Sequence, residues 1–511
     1  MIQIKEVNLK KLFESNDRLL IKLIYKLFLS IGIIDPFQYL RKMYKCVIYL
    51  FFVITLPGFG QAFHMELKLT PAVGETIYLA QYYLGNIYAK DTLQLDHSGY
   101  GVFKADSLLP QGLYKIYLDQ DHHFDILLGS DQQFRIKNNF FQTETMQVEG
   151  SEETAAFIEY TVFLKKLKNE DTSLRDSMEF SGKEEREALE AELAGLTEKL
   201  HDYWDQIQSD LPGSFLARFV QANYIPVLDV STLPEEVRSN DTLLFQAQFQ
   251  YQQEHFWDHF DYTDERFLYT PFFKNRVETW FTKVLFQNYD SVKKPVIRLI
   301  EEVRPNKQIF QFVTSYFLNS SINSSIMGMD ALFVDLARKY YLSGDAYWVT
   351  EETLSQIRDN VRFIENNLIG ALAPDLTLEG FDGEYYHLHQ VDAKYTLVLV
   401  YEPGCSHCND FVPDLYSAVY QPFKEKGLEV FAIYSMDNKE EWGEFLTKHK
   451  LFDWINVWDE HHASRFKILY DARKTPGVYV LDENKTIVAK GLSVEQLKFF
   501  LEQMMNEEGE G

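Results

Sequence analysis

The sequence predicts a multidomain protein in which an all-β sandwich is followed by an α-helical domain and then by an α/β domain. Three changes of pattern along the chain support this division. Short alternating segments separated by turn residues come first, apolar residues at helical spacing follow, and strand-like and helix-like segments then alternate. The length of 511 residues agrees with roughly three domains of about 150 residues each.

Residues 63–150 carry the pattern of the predicted sandwich. The segments are short, rich in β-branched and aromatic residues and often alternating, and Gly, Asn or Asp residues separate them. Regular short strands with this punctuation are typical of an antiparallel sandwich or barrel. The strand segments are FHMELKL, ETIYLAQYY, YAKDTLQLD, YGVFKAD, GLYKIYL, HFDILLG and QQFRIKN.

Residues 151–365 change to the composition of a helical domain. Helix-forming residues dominate, and apolar residues recur at intervals of three and four. One such stripe consists of Leu189, Leu193, Leu196 and Leu200. Prolines separate the helical stretches, and the sequence shows no repeat of fixed period.

Residues 366–511 alternate between strand and helix. The segment TLVLVY is continuously apolar, as expected for a strand whose sheet has helices on both faces. CSHCNDFVPDLYSAVYQPFKEKG, KEEWGEFLTKH and SVEQLKFFLEQMM have helical character, LEVFAIYSM has the pattern of a strand, and PGVYVLD pairs with KTIVAKGL as a hairpin. The order of strand, helix, strand, helix, hairpin and helix is typical of a thioredoxin-like domain.

The chain contains three cysteines, Cys46, Cys405 and Cys408, which exclude a disulfide scaffold and a four-cysteine zinc site. Cys405 and Cys408 form a C-x-x-C pair that follows a predicted buried strand and opens a predicted helix. At that position the helix dipole and free backbone N–H groups stabilise a thiolate at Cys405, and thiolates attack disulfides. Cys408 lies one turn further along, where it can resolve the mixed disulfide.

The C-x-x-C spacing also occurs in zinc sites, where it supplies two of the ligands, and in purely structural disulfides. Other features of the sequence favour a redox role. Thr475-Pro476 precedes the strand GVYVLD, where thioredoxin-like folds place a cis proline facing the sulfurs. Pro413 falls where the same fold kinks its first active-site helix. The imidazole of His407 is predicted to stabilise the thiolate, the alternative being an exposed loop histidine.

The net charge of −26 excludes whole classes of partner. Phosphate backbones and anionic membranes attract Lys and Arg, so neither nucleic acid nor an acidic membrane surface is an expected partner. No cofactor is expected. No metal is expected either, because adjacent histidines on a strand point to opposite faces and no third ligand lies close in sequence to His387 and His389. The histidine pairs are His122-His123, His387/His389 and His461-His462.

Residues 1–62 are predicted to be a misassigned start followed by a signal peptide. In the segment from Met43 to Ala62, Lys45 precedes an apolar run of about ten residues, half the length of a spanning helix. Cleavage at the end of this segment gives an exported protein of the periplasm or cell envelope, without Cys46 and without a stable membrane span. The alternative interpretations of the run are a short core strand or a membrane anchor.

The chain resembles a known family at these and other positions. Residues 366–511 are similar to the TlpA/ResA-like thiol–disulfide oxidoreductases of the thioredoxin superfamily. The chain after residue 63 resembles their multidomain Bacteroidetes version, in which a β-domain and a helical domain precede the thioredoxin-like module. The stretches that carry the resemblance include ETIYLAQYY, TDERFLYTPFFKNRVETW, NLIGALAPDLTLEGFDG, YEPGCSHCNDFVPDL and TPGVYVLDENKTIVAKGL.

The resemblance implies roles for particular residues and shows three departures. Cys405 corresponds to the attacking thiol and Cys408 to the resolving thiol. Many thioredoxins carry an aromatic residue where this chain has Gly404, and the two acidic residues that usually relay protons are replaced by Leu399 and Phe411. The residues expected to face the substrate are Ser406, His407, Thr475 and Pro476.

These observations predict an exported thiol–disulfide oxidoreductase that exchanges with protein thiols and disulfides and reacts with a separate redox partner. The alternative is a non-catalytic envelope binding protein whose C-x-x-C pair is a structural disulfide and whose first two domains capture a peptide, a glycan or a partner subunit. A further alternative is that the first two domains serve only to join two copies of the chain into a homodimer. The thiol pKa values distinguish the first two hypotheses, because a low pKa at Cys405 alone favours catalysis.

Overall fold

The computed structural model describes residues 62–507 of the chain. The predicted signal peptide, the proposed start at Met43 and Cys46 therefore lie outside the described residues. Within residues 62–507, none of the helices combines the length and the apolar character that crossing a bilayer requires.

The first part of the described chain is a sandwich of two four-stranded sheets, which confirms the predicted all-β class. Its strands are β1 (Phe63–Leu69), β2 (Thr76–Tyr83), β3 (Asn86–Gln94), β4 (Tyr100–Ala105), β5 (Gly112–Tyr117), β6 (His123–Leu128), β7 (Gln133–Asn138) and β8 (Gln147–Glu149). One sheet has the strand order β4-β1-β7-β8 and the other the order β3-β2-β5-β6. Every second residue of β1 is buried, as the alternating sequence predicts for a strand with one face on a core.

The pairing departs from a fully antiparallel sandwich at one place, where β1 and β7 run parallel with Met65 opposite Phe134. Strands β5 and β6 belong to the other sheet, so β7 enters the sheet of β1 from a crossover. Two parallel strands require such a long connection, whereas two antiparallel strands can be joined by a short hairpin turn. The expectation of antiparallel pairing throughout was therefore wrong for this pair.

A helical region follows, again as predicted. Its helices are α1 (Glu152–Glu179), α2 (Lys183–Asp210), α3 (Phe215–Gln221), α4 (Glu235–Arg238), α5 (Asp241–His255), α6 (Phe272–Thr279), α7 (Tyr289–Val303), α8 (Lys307–Ile322), α9 (Asp330–Leu336) and α10 (Glu351–Ile364). The hydroxyl of Ser151 caps α1 by accepting from the N–H of Thr154. The buried side chains of the sandwich and of the helices form one continuous hydrophobic core. The domain boundaries after residues 150 and 365 stay predictions.

The last part of the described chain is the α/β domain with the thioredoxin-like order. Its strands are β9 (Thr377–Gly380), β10 (Tyr385–His387), β11 (Tyr395–Tyr401), β12 (Leu428–Tyr434), β13 (Ile455–Trp458), β14 (Gly477–Leu481) and β15 (Ile487–Lys490), and its helices are α11 (Ser406–Leu415), α12 (Gln421–Phe423), α13 (Lys439–His449), α14 (Phe466–Leu469) and α15 (Val494–Glu507). The seven strands lie in the order β10-β9-β13-β12-β11-β14-β15.

Strand β11 is buried on both faces, which explains its continuous apolar sequence. Leu397 and Leu399 pack into one hydrophobic cluster, whereas Val398 and Val400 pack into a second cluster on the other side. The strand therefore forms a fixed platform, and the residues that follow its C-terminal end start from a defined position.

Candidate active site

The cysteine pair lies where the central strand is followed by the first helix of the α/β domain. Strand β11 ends at Tyr401, the N–H of Cys405 donates to the carbonyl of Glu402 at 3.3 Å, and α11 begins at Ser406. Cys405 therefore occupies the N-cap position with an extended backbone. The backbone N–H groups of the first helical turn have no partner within the helix, so they are free to interact with a group at this position.

The two cysteines have different environments. Cys408 is fully buried in the hydrophobic cluster that contains Leu399 and Tyr401, whereas Cys405 is half-buried at the surface. Both side chains are unbridged thiols. A large reaction partner can therefore reach Cys405 but not Cys408.

Hydrogen bonding lowers the pKa of Cys405 to about 7. The main cause is the backbone N–H of Cys408, which is directed at the Cys405 sulfur although it does not reach the geometry of a full cap hydrogen bond. The side chains of Thr475 and Cys408 and the backbone N–H of His407 lower this pKa further, and burial opposes them. A pKa near 7 makes a substantial part of Cys405 a thiolate at neutral pH.

Burial raises the pKa of Cys408 to about 11. The backbone N–H of Glu402 and the side chain of Thr475 lower this pKa, while the negative charge on Cys405 raises it further. The buried cysteine is therefore a protonated thiol at neutral pH, mainly because of its burial.

The loop before β14 lies against the pair. Its Thr475-Pro476 peptide bond is cis. The Cys405 thiol donates to the carbonyl oxygen of Thr475 at 3.5 Å, and the Thr475 side chain lowers the pKa of both cysteines. The fold thus brings together predicted site residues that are 70 positions apart in the sequence.

Ser406 and His407 are exposed in the first turn of α11, next to the Cys405 sulfur. The influence of His407 on the pKa of Cys405 comes from its backbone N–H. The sequence-based hypothesis assigned this effect to the imidazole. Any residue except proline supplies the same N–H at this position, so the histidine side chain is not needed for it.

The two positions that lack the usual acidic residues are apolar in the structure. Leu399 is fully buried in the cluster that contains Cys408, and Phe411 is half-buried against the same cluster. Two interactions near Cys408 were not predicted from the sequence. The backbone N–H of Glu402 lowers its pKa, and the buried hydroxyl of Tyr401 accepts a hydrogen bond from Trp442 Nε1 at 2.8 Å. Every residue except proline has a backbone N–H, so the sequence could not indicate the effect of the Glu402 N–H on Cys408.

The histidines considered as metal ligands have other neighbours. His122 Nδ1 lies 2.8 Å from an oxygen of Asp119, and His387 Nδ1 lies 2.8 Å from the hydroxyl of Thr377. Among residues 62–507, no cluster of three or more His, Cys, Asp or Glu side chains has the arrangement needed to hold a metal ion.

Two protein-family models match the chain. Residues 369–490 match the AhpC/TSA family, and residues 244–367 match a domain of unknown function, DUF5106. The first match includes both cysteines and the Thr475-Pro476 loop. No protein of curated function matches the chain.

Several solved bacterial structures are similar to this chain. A domain of a possible thiol-disulfide isomerase from Cytophaga hutchinsonii is 37% identical, with a TM-score of 0.27, and the match covers 28% of this chain and 97% of that chain. A thiol:disulfide interchange protein from Bacteroides sp. is 26% identical, with a TM-score of 0.26 and coverages of 28% and 92%. A thioredoxin-like protein from Bacteroides caccae is 20% identical, with a TM-score of 0.41 and coverages of 55% and 98%.

The AhpC/TSA model spans the cysteine pair and the cis-proline loop. Residues 369–490 of this chain therefore form a thioredoxin-like domain of the AhpC/TSA family.

Proposed function

We propose that the protein is an exported thiol–disulfide oxidoreductase in which Cys405 and Cys408 exchange electrons with protein substrates. The observation that carries the proposal is the asymmetry of the pair. Cys405 is accessible and has a pKa near 7, whereas Cys408 is buried and has a raised pKa. Two ordinary pKa values would instead favour a structural disulfide, because neither sulfur would then be activated as a nucleophile.

The geometry suggests a sequence of two exchanges. The Cys405 thiolate attacks one sulfur of a substrate disulfide, a mixed disulfide forms, and the other substrate sulfur leaves as a thiolate. This step removes the charge on Cys405, which is one of the causes that raise the pKa of Cys408. The pKa of Cys408 therefore falls when a thiolate is needed there.

In the second exchange Cys408 attacks the Cys405 sulfur. The Cys405–Cys408 disulfide forms, and the second substrate sulfur is released. The proton lost by Cys408 and one proton from solvent protonate the two substrate thiolates, so the substrate is released as a dithiol. Two electrons have then passed from the cysteine pair to the substrate. The reverse sequence oxidises a substrate dithiol.

The surface around Cys405 supports a protein-sized substrate. An added side chain at Gly404 would meet no atom within 4 Å, and Ser406 and His407 are exposed. Access from an open surface suits a disulfide that is itself part of a protein.

The reduction potential of the full-length protein tests the proposal. We expect a reversible transition between about −120 and −270 mV when the protein is equilibrated in glutathione buffers and its thiols are trapped. A potential in this range is typical of proteins that exchange disulfides. A pair that stays oxidised below about −300 mV would contradict the proposal and favour a structural disulfide.

Export rests on the apolar run that follows Lys45, which has the length of the hydrophobic region of a signal peptide. Among residues 62–507, no helix has the character of a membrane span. We expect N-terminal sequencing of the protein recovered from the producing bacterium to begin close to Ala62. A protein that retains residue 1 would contradict the proposed start and the proposed export together.

A further inference from the structure

We propose that the helical region preceding the α/β domain positions the redox pair, because its helix α10 anchors the loop of Thr475 and Pro476 through Arg473. The inference deepens the proposed function and rests on it. It also gives a role to residues 244–367, which match a domain of unknown function.

Arg473 makes two contacts with α10 and pairs with Asp471 of its own loop. Its Nη1 donates to Asn360 Oδ1 at 2.6 Å, and its guanidinium carbon lies 4.4 Å from the ring centroid of Phe363. Both residues belong to α10. On the loop side, Nε and Nη2 donate to the two carboxylate oxygens of Asp471 at 2.5 and 2.7 Å. A planar guanidinium is suited to such a fork and to stacking on an aromatic ring at the same time.

One residue of the loop has a left-handed backbone conformation. Asp471 has a φ of 37°, in the left-handed region, which Asp adopts more readily than most residues other than glycine. Conformations of this kind persist when the surroundings determine them in several ways. The bidentate salt bridge between Asp471 and Arg473, which contacts α10, contributes to fixing this backbone conformation.

A second set of contacts fixes the same regions relative to each other. Asn367 follows α10, and its Nδ2 donates to the carbonyl of Leu469 at 3.0 Å, just before the loop. Lys490 Nζ, at the end of β15, donates to the carbonyl of Asn367 at 2.8 Å and forms an ion pair with Asp330 at the start of α9. The loop is therefore attached to the helical region near Leu469 and at Arg473.

The attachment has a direct route to the sulfurs. Arg473 is two residues before Thr475, whose carbonyl accepts from the Cys405 thiol at 3.5 Å. The Thr475 side chain also lowers the pKa of Cys405. If α10 no longer held the loop, Thr475 would move away from the sulfurs for part of the time, and the thiolate would lose the stabilisation that the Thr475 side chain supplies. The carbonyl contact favours the neutral thiol, so its loss opposes this effect.

The test measures the reactivity of Cys405 in the full-length, chemically reduced protein. The rate of alkylation by iodoacetamide is followed from about pH 5 to about pH 10 by mass spectrometry of the peptide that contains Cys405. We expect a midpoint near pH 7 for the unmodified protein. Asn360→Ala combined with Phe363→Leu removes the two α10 contacts of Arg473 and leaves the α/β domain unchanged. We expect this variant to shift the midpoint upward by about half a pH unit.

Two further variants complete the design. Arg358→Ala changes a residue of α10 that pairs with Glu351 rather than with the loop, and it should leave the midpoint unchanged. Arg473→Lys keeps the charge but lacks the fork, and it should shift the midpoint upward like the double variant. If the double variant does not fold, Asn360→Ala alone provides the same comparison.

The outcomes separate this inference from the proposed function. An unchanged midpoint in both the α10 variant and Arg473→Lys would overturn the positioning role. Because alkylation is measured on the reduced protein, the shift is detectable even if the pair does not exchange disulfides. A shifted midpoint together with a potential below about −300 mV would retain the positioning role and reject the proposed function.

Discussion

Replacing Cys405 with serine is expected to lower the rate of thiol–disulfide exchange by at least about 1,000-fold, because a serine hydroxyl is not ionised near neutral pH and cannot form a disulfide. Cys408 cannot take over the attack. It is fully buried, and its pKa is raised to about 11. The measurement is the reduction of a protein disulfide by the full-length protein in the presence of an external thiol donor. Exchange that survives in Cys405→Ser would remove Cys405 from the role of attacking thiol.

Cys408→Ser is expected to behave differently and to accumulate mixed disulfides. The main cause of the lowered pKa of Cys405 is the backbone N–H of residue 408, which a serine retains. Cys405 would still attack a substrate, but the second exchange would be missing. Covalent complexes should appear on non-reducing gels, disappear with dithiothreitol and be absent from the variant in which both cysteines are serine. A variant that forms no complex with any disulfide substrate would contradict the assigned order of attack.

The sequence was informative where the chemistry is local. The spacing of Cys405 and Cys408, the apolar strand before them and the Thr475-Pro476 dipeptide predicted residues that the structure brings into contact. Local patterns also predicted the three structural classes, since alternation and helical spacing are properties of neighbouring residues. Strand β13 was missed because its four residues, Ile455–Trp458, are too few to show a period.

The sequence was uninformative where the contact is remote or involves the backbone. Arg473 donates to Asn360, which lies 113 residues away, and nothing in either segment indicates the other. The parallel pairing of β1 with β7 likewise depends on a crossover that no local pattern reveals. The lowered pKa of Cys405 depends mainly on one N–H group, so the helix start was predictable but the detailed contacts at the sulfur were not.

Gly129→Ala is expected to destabilise the protein by about 2–3 kcal/mol, because it displaces a buried carboxylate. A Cβ atom at this position, next to β6, would lie 1.7 Å from Glu153 Oε2. Glu153 is buried in the first turn of α1, and its Oε1 accepts from the N–H of Leu216 at 2.7 Å in the first turn of α3. The glycine thus leaves room for the side chain that joins the sandwich to two helices. The measurement is the midpoint of urea unfolding, together with hydrogen exchange at Leu216.

A double-mutant cycle shows whether the effect acts through the carboxylate. In the background of Glu153→Ala, which removes the obstructed group, Gly129→Ala should cost less than about 0.5 kcal/mol. Gly195→Ala is the matched control, because a Cβ atom there would meet no atom within 4 Å in the middle of α2. Alanine is favoured over glycine inside a helix, so this control should be neutral or stabilising. Equal costs of Gly129→Ala with and without Glu153 would contradict the steric explanation. The expected coupling would instead show that the sandwich and the helical region are joined by the same buried carboxylate, which agrees with their shared hydrophobic core.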